Sequence, residues 1–363
     1  MTRQTGISIA RSRYMGKIPR MRAPGWTMVG QDGGHSIAVG GKTLFLFSDT
    51  LLLCEEERVA KGHAAAPVPV PPNPETVFLA NCAAISEAAT LPGALSTLTY
   101  YSGADGLPRE IVSATERERF AKLRFWPEHG VAIGGRVYFY YLGVQTTDAS
   151  SAWGFRVVGV GLASIDPATG ETVREHYHGH WILWRDEAQD LHFGVHVLSQ
   201  DEFLYVFGSV RDSLDTQAIL ARVRPDRIGQ PDAYEFLSAS TPEWCGRPAD
   251  AMRLGTVASD FSVSYNSYLG KYTLYFVDGF GKRLMMRTAD HIWGPYGEPI
   301  ALFRVPSQPG SELIYLGMEH SSFQGEGGRT VYVTYCEPHF SLASELTVTF
   351  APTGRAAGGA DAG

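Results

Sequence analysis

Eight carboxylates and histidines in this chain could do chemistry together. They recur as pairs just ahead of short apolar runs: Gly34-His35, Glu128-His129, His192-Phe193, Asp260-Phe261 and Glu319-His320, with Asp32 immediately upstream of the first. A carboxylate is expensive to desolvate, and a second one nearby repels it. Such groups therefore gather only where function or a cation repays the energy. One chemistry that wants this grouping is glycoside hydrolysis, which needs one carboxylate ionised and a second held protonated by its surroundings. Another is the holding of a divalent cation such as Ca²⁺, Mn²⁺ or Zn²⁺ by mixed imidazole and carboxylate donors. Taken singly, each of these residues is more often a hydrogen-bonded tie for a loop.

The elements that must position them are hairpins. DGGHSIAVGGKTLFLFSDT (32–50) reads as a strand, a Gly-Gly turn and a second strand that is apolar on both faces. The frame returns as HGVAIGGRVYFYY (129–141), HFGVHVLSQDEFLYVFGSV (192–210), DFSVSYNSYLGKYTLYFVDG (260–279) and EHSSFQGEGGRTVYVTYC (319–336). Further strand text follows the copies, and only Ser113–Leu123 reads as a short helix. Five repeats of sheet without helical crossovers predict an all-β, five-bladed propeller. Its blades are four-stranded and antiparallel, and the first strand of each lines a central channel. A β-sandwich with coincidental hairpins explains the matched apolar positions but not the matched polar ones.

Length and composition set the outer bounds. The 363 residues suffice for one large domain, and 44 % hydrophobic with 19 % charged residues is an ordinary globular balance. A net charge of −7 disfavours nucleic acid and anionic membrane as partners but is neutral towards a sugar. Four scattered cysteines without a CxxC pair read as free thiols rather than a structural zinc site. No apolar run suits a secretory leader or a membrane span, so a cytoplasmic location is expected. The expected layout is an irregular segment at 1–30, one propeller over 31–352 with an inserted Ala/Pro-rich loop at 55–75, and a flexible tail at 353–363.

The blade-four text carries a family resemblance. Ser262-Val-x-Tyr265-Asn-x-Tyr268-Leu-Gly-Lys-Tyr272, then Arg287-Thr-Ala-Asp290 and Trp293-Gly-Pro-Tyr296, resembles five-bladed glycosidase-like proteins. More narrowly it is similar to the group described as a domain of unknown function, DUF4185, related in pattern to arabinanase and furanosidase propellers. The hairpin at 40–50, the segment FGVHVLSQDEFLYVFGS and the strand Leu220–Val223 fit the same group, over roughly residues 30–340. The resemblance implies a base at Asp32, a pKa-tuning acid at Glu128 and a cation-side histidine at His320. It also implies a general acid at a blade-three glutamate, where this chain has His192. That role then passes to Glu128, Asp260, Glu319 or His192 itself.

The expected activity is hydrolysis of a glycan or small glycoside, with His35, His129, His192, Trp126 and Tyr265 contacting the sugar. A non-catalytic carbohydrate-binding propeller and a metal-dependent sugar lyase remain open beside it. Three histidines in HYHGHW (176–181) share a strand face on this reading and are assigned to an exposed blade edge.

Overall fold

The computed structural model describes residues 7–17, 22–23, 25–54, 76–149, 154–184, 191–212, 215–239, 242–306, 313–337 and 344–351. The loop at 55–75 and the tail at 353–363 lie outside the described residues. The described chain forms five separate antiparallel sheets. Their first strands are Trp26–Val39, Leu123–Ile133, Leu191–Gln200, Phe261–Asn266 and Tyr315–Glu319. Each touches the next, and the fifth touches the first, so the sheets form a closed five-bladed ring around these inner strands.

The second strand of each blade explains why it is apolar on both faces. In blade one, Leu44 and Leu46 pack against blade two, while Phe45 and Phe47 pack against blade five. In blade two, Phe139 and Tyr141 face blade one, and Tyr140 and Leu142 face blade three. In blade four, Leu274 and Phe276 turn to blade three, and Tyr275 and Val277 to blade five. Side chains alternate along a strand, so each parity feeds a different interface and the core divides into five clusters between neighbouring blades.

The N-terminal segment corrects one expectation. Residues 9–17 do not form an irregular lead-in; Ile9–Lys17 is the outermost strand of blade five, paired antiparallel with Ser344–Phe350. The two ends of the chain thus complete one blade, and Ser12 Oγ donates to Leu302 O of blade four at 2.9 Å. Blade one also begins earlier than expected, at Trp26. The helix expected near 113–123 is one turn, Glu116–Phe120, closed by a capping box between Thr115 and Glu118. A second short helix, Leu91–Ser96, was not legible in the sequence. HYHGHW is a tight turn bridged by Tyr177 and His180, with His176, His178 and His180 exposed, rather than one strand face.

One fully buried side chain pins blade one to blade two. Asn81 donates to Val112 O and Phe125 O at 3.0 Å each, and its Oδ1 accepts from Ile111 N and Val112 N at 2.9 Å each. Asn81→Ala strands four backbone groups away from water, so a loss of about 3–5 kcal/mol is expected in urea unfolding. A change below about 1 kcal/mol would show that the tie is dispensable.

Candidate functional site

The inner strands place five equivalent positions around one small cavity on the axis. His35 and His129 each stand five residues before a Gly-Gly turn, and His196 stands five residues before the Asp201-Glu202 turn. Ser262 holds the same position before the 267–270 turn, and Glu319 occupies the matching place in blade five. All five line the cavity, together with Ser36 and His320 among others.

Breaks in the pairing aim these side chains. Across blade two, Pro127 faces Tyr141 and Gly130 faces Phe139, so Glu128 and His129 together oppose Tyr140 alone. Such a bulge bends the strand and redirects its side chains. In blade one the register shifts around Gly33 and Gly34, whose φ angles are +83° and +111°. A side chain would strain both positions, which accounts for the glycine pair between Asp32 and His35.

Blade three requires a correction. His192, expected in the funnel, pairs with Ser209 four residues upstream of the cavity wall and does not line it. His196 lines it instead, stacked on His129 with ring centroids 3.9 Å apart. Counting back from the two-residue turn finds His196, whereas taking the pair just ahead of the apolar run selects His192.

The two expected sugar-stacking rings are also elsewhere. Trp126 donates Nε1–H to Asp49 Oδ1 at 2.8 Å and packs edge-on against Phe155, so it serves as an inter-blade tie. Tyr265 lies three residues from Ser262 towards the hairpin turn, half exposed against Tyr272, and does not line the cavity.

Of the four expected carboxylates Glu319 alone lines the cavity, whereas Glu128 and Asp260 lie behind its wall beside His35, and Asp32 does not line it. Glu128 is buried, its Oε2 lies 3.5 Å from His35 Nε2, and that oxygen has no hydrogen bond. Burial, and then the charge of Asp260, push its pKa well above the usual carboxylate range. Asp32 is half-buried and accepts a 2.9 Å hydrogen bond from Tyr315 of blade five. Its pKa is pushed up to about 8 by burial first and Asp49 second, with Tyr315 and Arg124 pulling the other way and Asp260 adding to the rise. Asp260 takes a 2.6 Å hydrogen bond from Ser259, and burial raises its pKa as well. Glu319 rises to about 7 through burial, against the pull of Gln324, which donates to Oε1 at 3.0 Å.

The histidines move the opposite way, because burial disfavours their charged form. Burial takes His129 to about 4 and His320 to about 3, and it takes His35 and His196 well below the ordinary value. His320 bonds through Nδ1 to Ser36 Oγ at 2.8 Å and through Nε2 to Thr334 Oγ1 at 2.9 Å. Both nitrogens are thereby engaged, so His320 does not offer a free lone pair to a cation. His35, Glu128 and Asp260 instead present donor atoms all within 4.8 Å of one another. Sequence reasoning missed Tyr315, whose contact with Asp32 spans 283 residues of chain.

Known proteins share this architecture. The family model described as a domain of unknown function (DUF4185) matches residues 19–351. A crystal structure from Bacteroides ovatus ATCC 8483 is similar at 14 % identity and a TM-score of 0.59, covering 93 % of this chain and 87 % of its own. A family 117 glycoside hydrolase of Zobellia galactanivorans aligns at 12 % identity and a TM-score of 0.51, over 93 % and 90 % of the two chains. The GH43_1 enzyme of Xanthomonas citri complexed with xylose aligns at 12 % and 0.50, over 93 % and 90 %. At these identities the likeness is one of fold. No curated protein matches the chain. Among the described residues no helix is long and apolar enough to cross a membrane.

Two opposed titrations set the pH dependence of stability. The raised carboxyls keep protons that the unfolded chain has released above about 4, so they weaken the fold as pH rises towards 7 and 8. The depressed histidines stay neutral where the unfolded chain is protonated, so they strengthen it as pH rises towards about 6.5. These slopes offset each other below about 6.5, and above it only the carboxyl slope remains. Urea midpoints should therefore differ little between pH 5.5 and 6.5 and fall by pH 8. A midpoint that rises from 6.5 to 8 would contradict the burial of these carboxyls.

Proposed function

The chain belongs to the DUF4185 family, and on that footing we propose that it is a glycoside hydrolase acting on a glycan or small glycoside, with Asp32 and Asp260 as its acid–base pair. One observation carries the reading: the funnel carboxylates are coupled but unequal. The charge of Asp260 raises the pKa of both Asp32 and Glu128, while burial and Ser259 alone govern its own. In this reading Asp260, whose carboxylate accepts a hydrogen bond from Ser259, is the ionised partner. Asp32, near 8, keeps its proton at neutral pH. An ionised and a protonated carboxyl facing one cleft is what glycosidic cleavage requires.

In this reading Asp32 protonates the leaving oxygen. Tyr315 occupies its Oδ1, so the proton sits on Oδ2. Asp260 acts as base or nucleophile, and Glu128, neutral and buried beside His35, keeps a second negative charge out of the funnel. The family resemblance implied the opposite role for Asp32, that of base. Its pKa, raised to about 8, supports the donor role instead. The Xanthomonas citri enzyme in complex with xylose is consistent with a neutral sugar as ligand.

Activated substrates separate the roles, since a dinitrophenyl glycoside needs no acid to leave. On a panel of furanosides and pyranosides, Asp32→Asn should lose about 10²–10⁴ in turnover of unactivated substrates and retain it on dinitrophenyl ones. Asp260→Asn should lose both. The wild-type rate should fall as pH rises through about 8. Loss of activated turnover in Asp32→Asn would make Asp32 the base. Unchanged turnover in both variants would overturn this acid–base pair, and a wild type that turns over no glycoside would sink the hydrolase reading and leave a carbohydrate-binding propeller.

A second reading follows from the donor atoms of His35, Glu128 and Asp260, which lie within 4.8 Å of one another. Glu128 Oε2 and the neighbouring His196 Nε2 are buried without hydrogen-bond partners. One imidazole and two carboxylates suit Zn²⁺ or Mn²⁺ better than the all-oxygen shell favoured by Ca²⁺. A cation held there would act as a Lewis acid on a bound sugar, as a lyase requires. Elemental analysis should find about one equivalent of metal, removal by a chelator should lower the melting temperature, and His35→Ala should abolish both. No bound metal and no chelator effect would exclude it.

A further inference from the structure

Phe280 is 85 % exposed, although it stands in a tightly built turn. It lies in the loop joining the second and third strands of blade four, Lys271–Asp278 and Arg283–Ala289. Phe261 pairs with Phe276, which sets Asp260 level with Val277 at the funnel end of the hairpin. Phe280 follows three residues later in the turn beyond Asp278, at the same end of the blade as Asp260.

The turn is held from several sides. Gly279 O accepts from Lys282 N at 3.3 Å and from Ile314 N at 3.1 Å, and Gly281 N donates to Asp278 Oδ1 at 3.1 Å. Ile314 directly precedes Tyr315, whose hydroxyl holds Asp32. A Cβ on Gly279 would come 2.7 Å from Leu313, and one on Gly281 would come 2.2 Å from the Asp278 carboxylate. A side chain at either position would have to displace these neighbours. Asp278 and Arg283 pair with each other beneath it, and Lys282 in the turn is buried.

An exposed, pre-positioned aromatic ring at the Asp260 end of its blade fits the apolar face of an uncharged sugar. A protein partner would call for a contiguous apolar patch. The other exposed large hydrophobics among the described residues lie on other elements: Tyr14, Met15, Phe120, Val173 and Tyr265.

We propose that Phe280 is a stacking platform for a sugar ring removed from the reacting bond, so that the funnel accepts oligosaccharides rather than monoglycosides alone. This rests on the glycosidase reading and deepens it. The test compares wild type with Phe280→Ala and Phe280→Trp on xylotriose, arabinotriose and kestose, and on aryl monoglycosides. Both turnover and calorimetric binding are followed.

For Phe280→Ala, KM and Kd for a trisaccharide should rise about three- to tenfold, as for one lost stacking contact. The kcat, the monoglycoside kinetics and the melting temperature should stay unchanged, and Phe280→Trp should retain the affinity. Equal trisaccharide affinity in Phe280→Ala and wild type would overturn the platform and leave the hydrolase reading intact. If wild type binds a trisaccharide without cleaving any substrate, and Phe280→Ala weakens that binding, the platform stands and the hydrolase reading falls. If wild type binds none of the sugars, the platform falls. A change in oligomeric state in Phe280→Ala, with sugar affinity unchanged, would assign the ring to protein contact instead.

Discussion

The structure depends on keeping ionisable groups out of water on the axis of a ring. Glu128, Glu319, His35, His196 and His320 are all buried there, and none meets a full opposite charge of its own. Desolvation then decides their protonation: the acids hold protons and the imidazoles give them up. A neutral carboxyl beside a neutral imidazole is tolerable in a low dielectric, whereas two bare carboxylates are not. The axis is therefore a store of proton donors and lone pairs, and that store is what makes it a candidate for acid–base work.

Such a store needs a rigid frame, and the five apolar clusters between blades supply it. They meet no common centre, so the axis is left free for polar groups while the stability is built around it. Ring closure is needed for the same reason. An open blade five would expose a sheet edge and loosen Tyr315, which sits in that blade and holds Asp32 of blade one. The outer strand Ile9–Lys17 prevents this by pairing with the last strand of the chain. The candidate site and the outer pairing of Ile9–Lys17 are thus served by the same blade.

Different residues were legible to different degrees. The Gly-Gly turns and the doubly apolar second strands could be recognised because hairpin geometry is local and side chains alternate with a period of two. Asp32, Glu128, His129, Asp260 and Glu319 stood out because each opens or lies within an inner strand. His192 was mistaken for His196 because the bulges move side chains by one or two places, and nothing nearby in sequence marks where pairing breaks. Ile9–Lys17 escaped because an outermost strand shows water most of its side chains and carries no clear apolar alternation. Trp126 looked like a sugar platform because a ring's use depends on what lies across from it, here Asp49 and Phe155.

By itself the sequence determined that this chain is a ring of five β-sheets and that acids and histidines recur at the starts of its inner strands. Hydrophobic period and turn chemistry are properties of neighbouring residues, so they can be read along the chain. The tertiary structure decided which of those groups share a cavity and which proton each one holds. Proton affinity depends on burial and on charges brought from other blades, as when Tyr315 and Asp260 act on Asp32 from more than 200 residues away. Those distances through space have no counterpart along the chain.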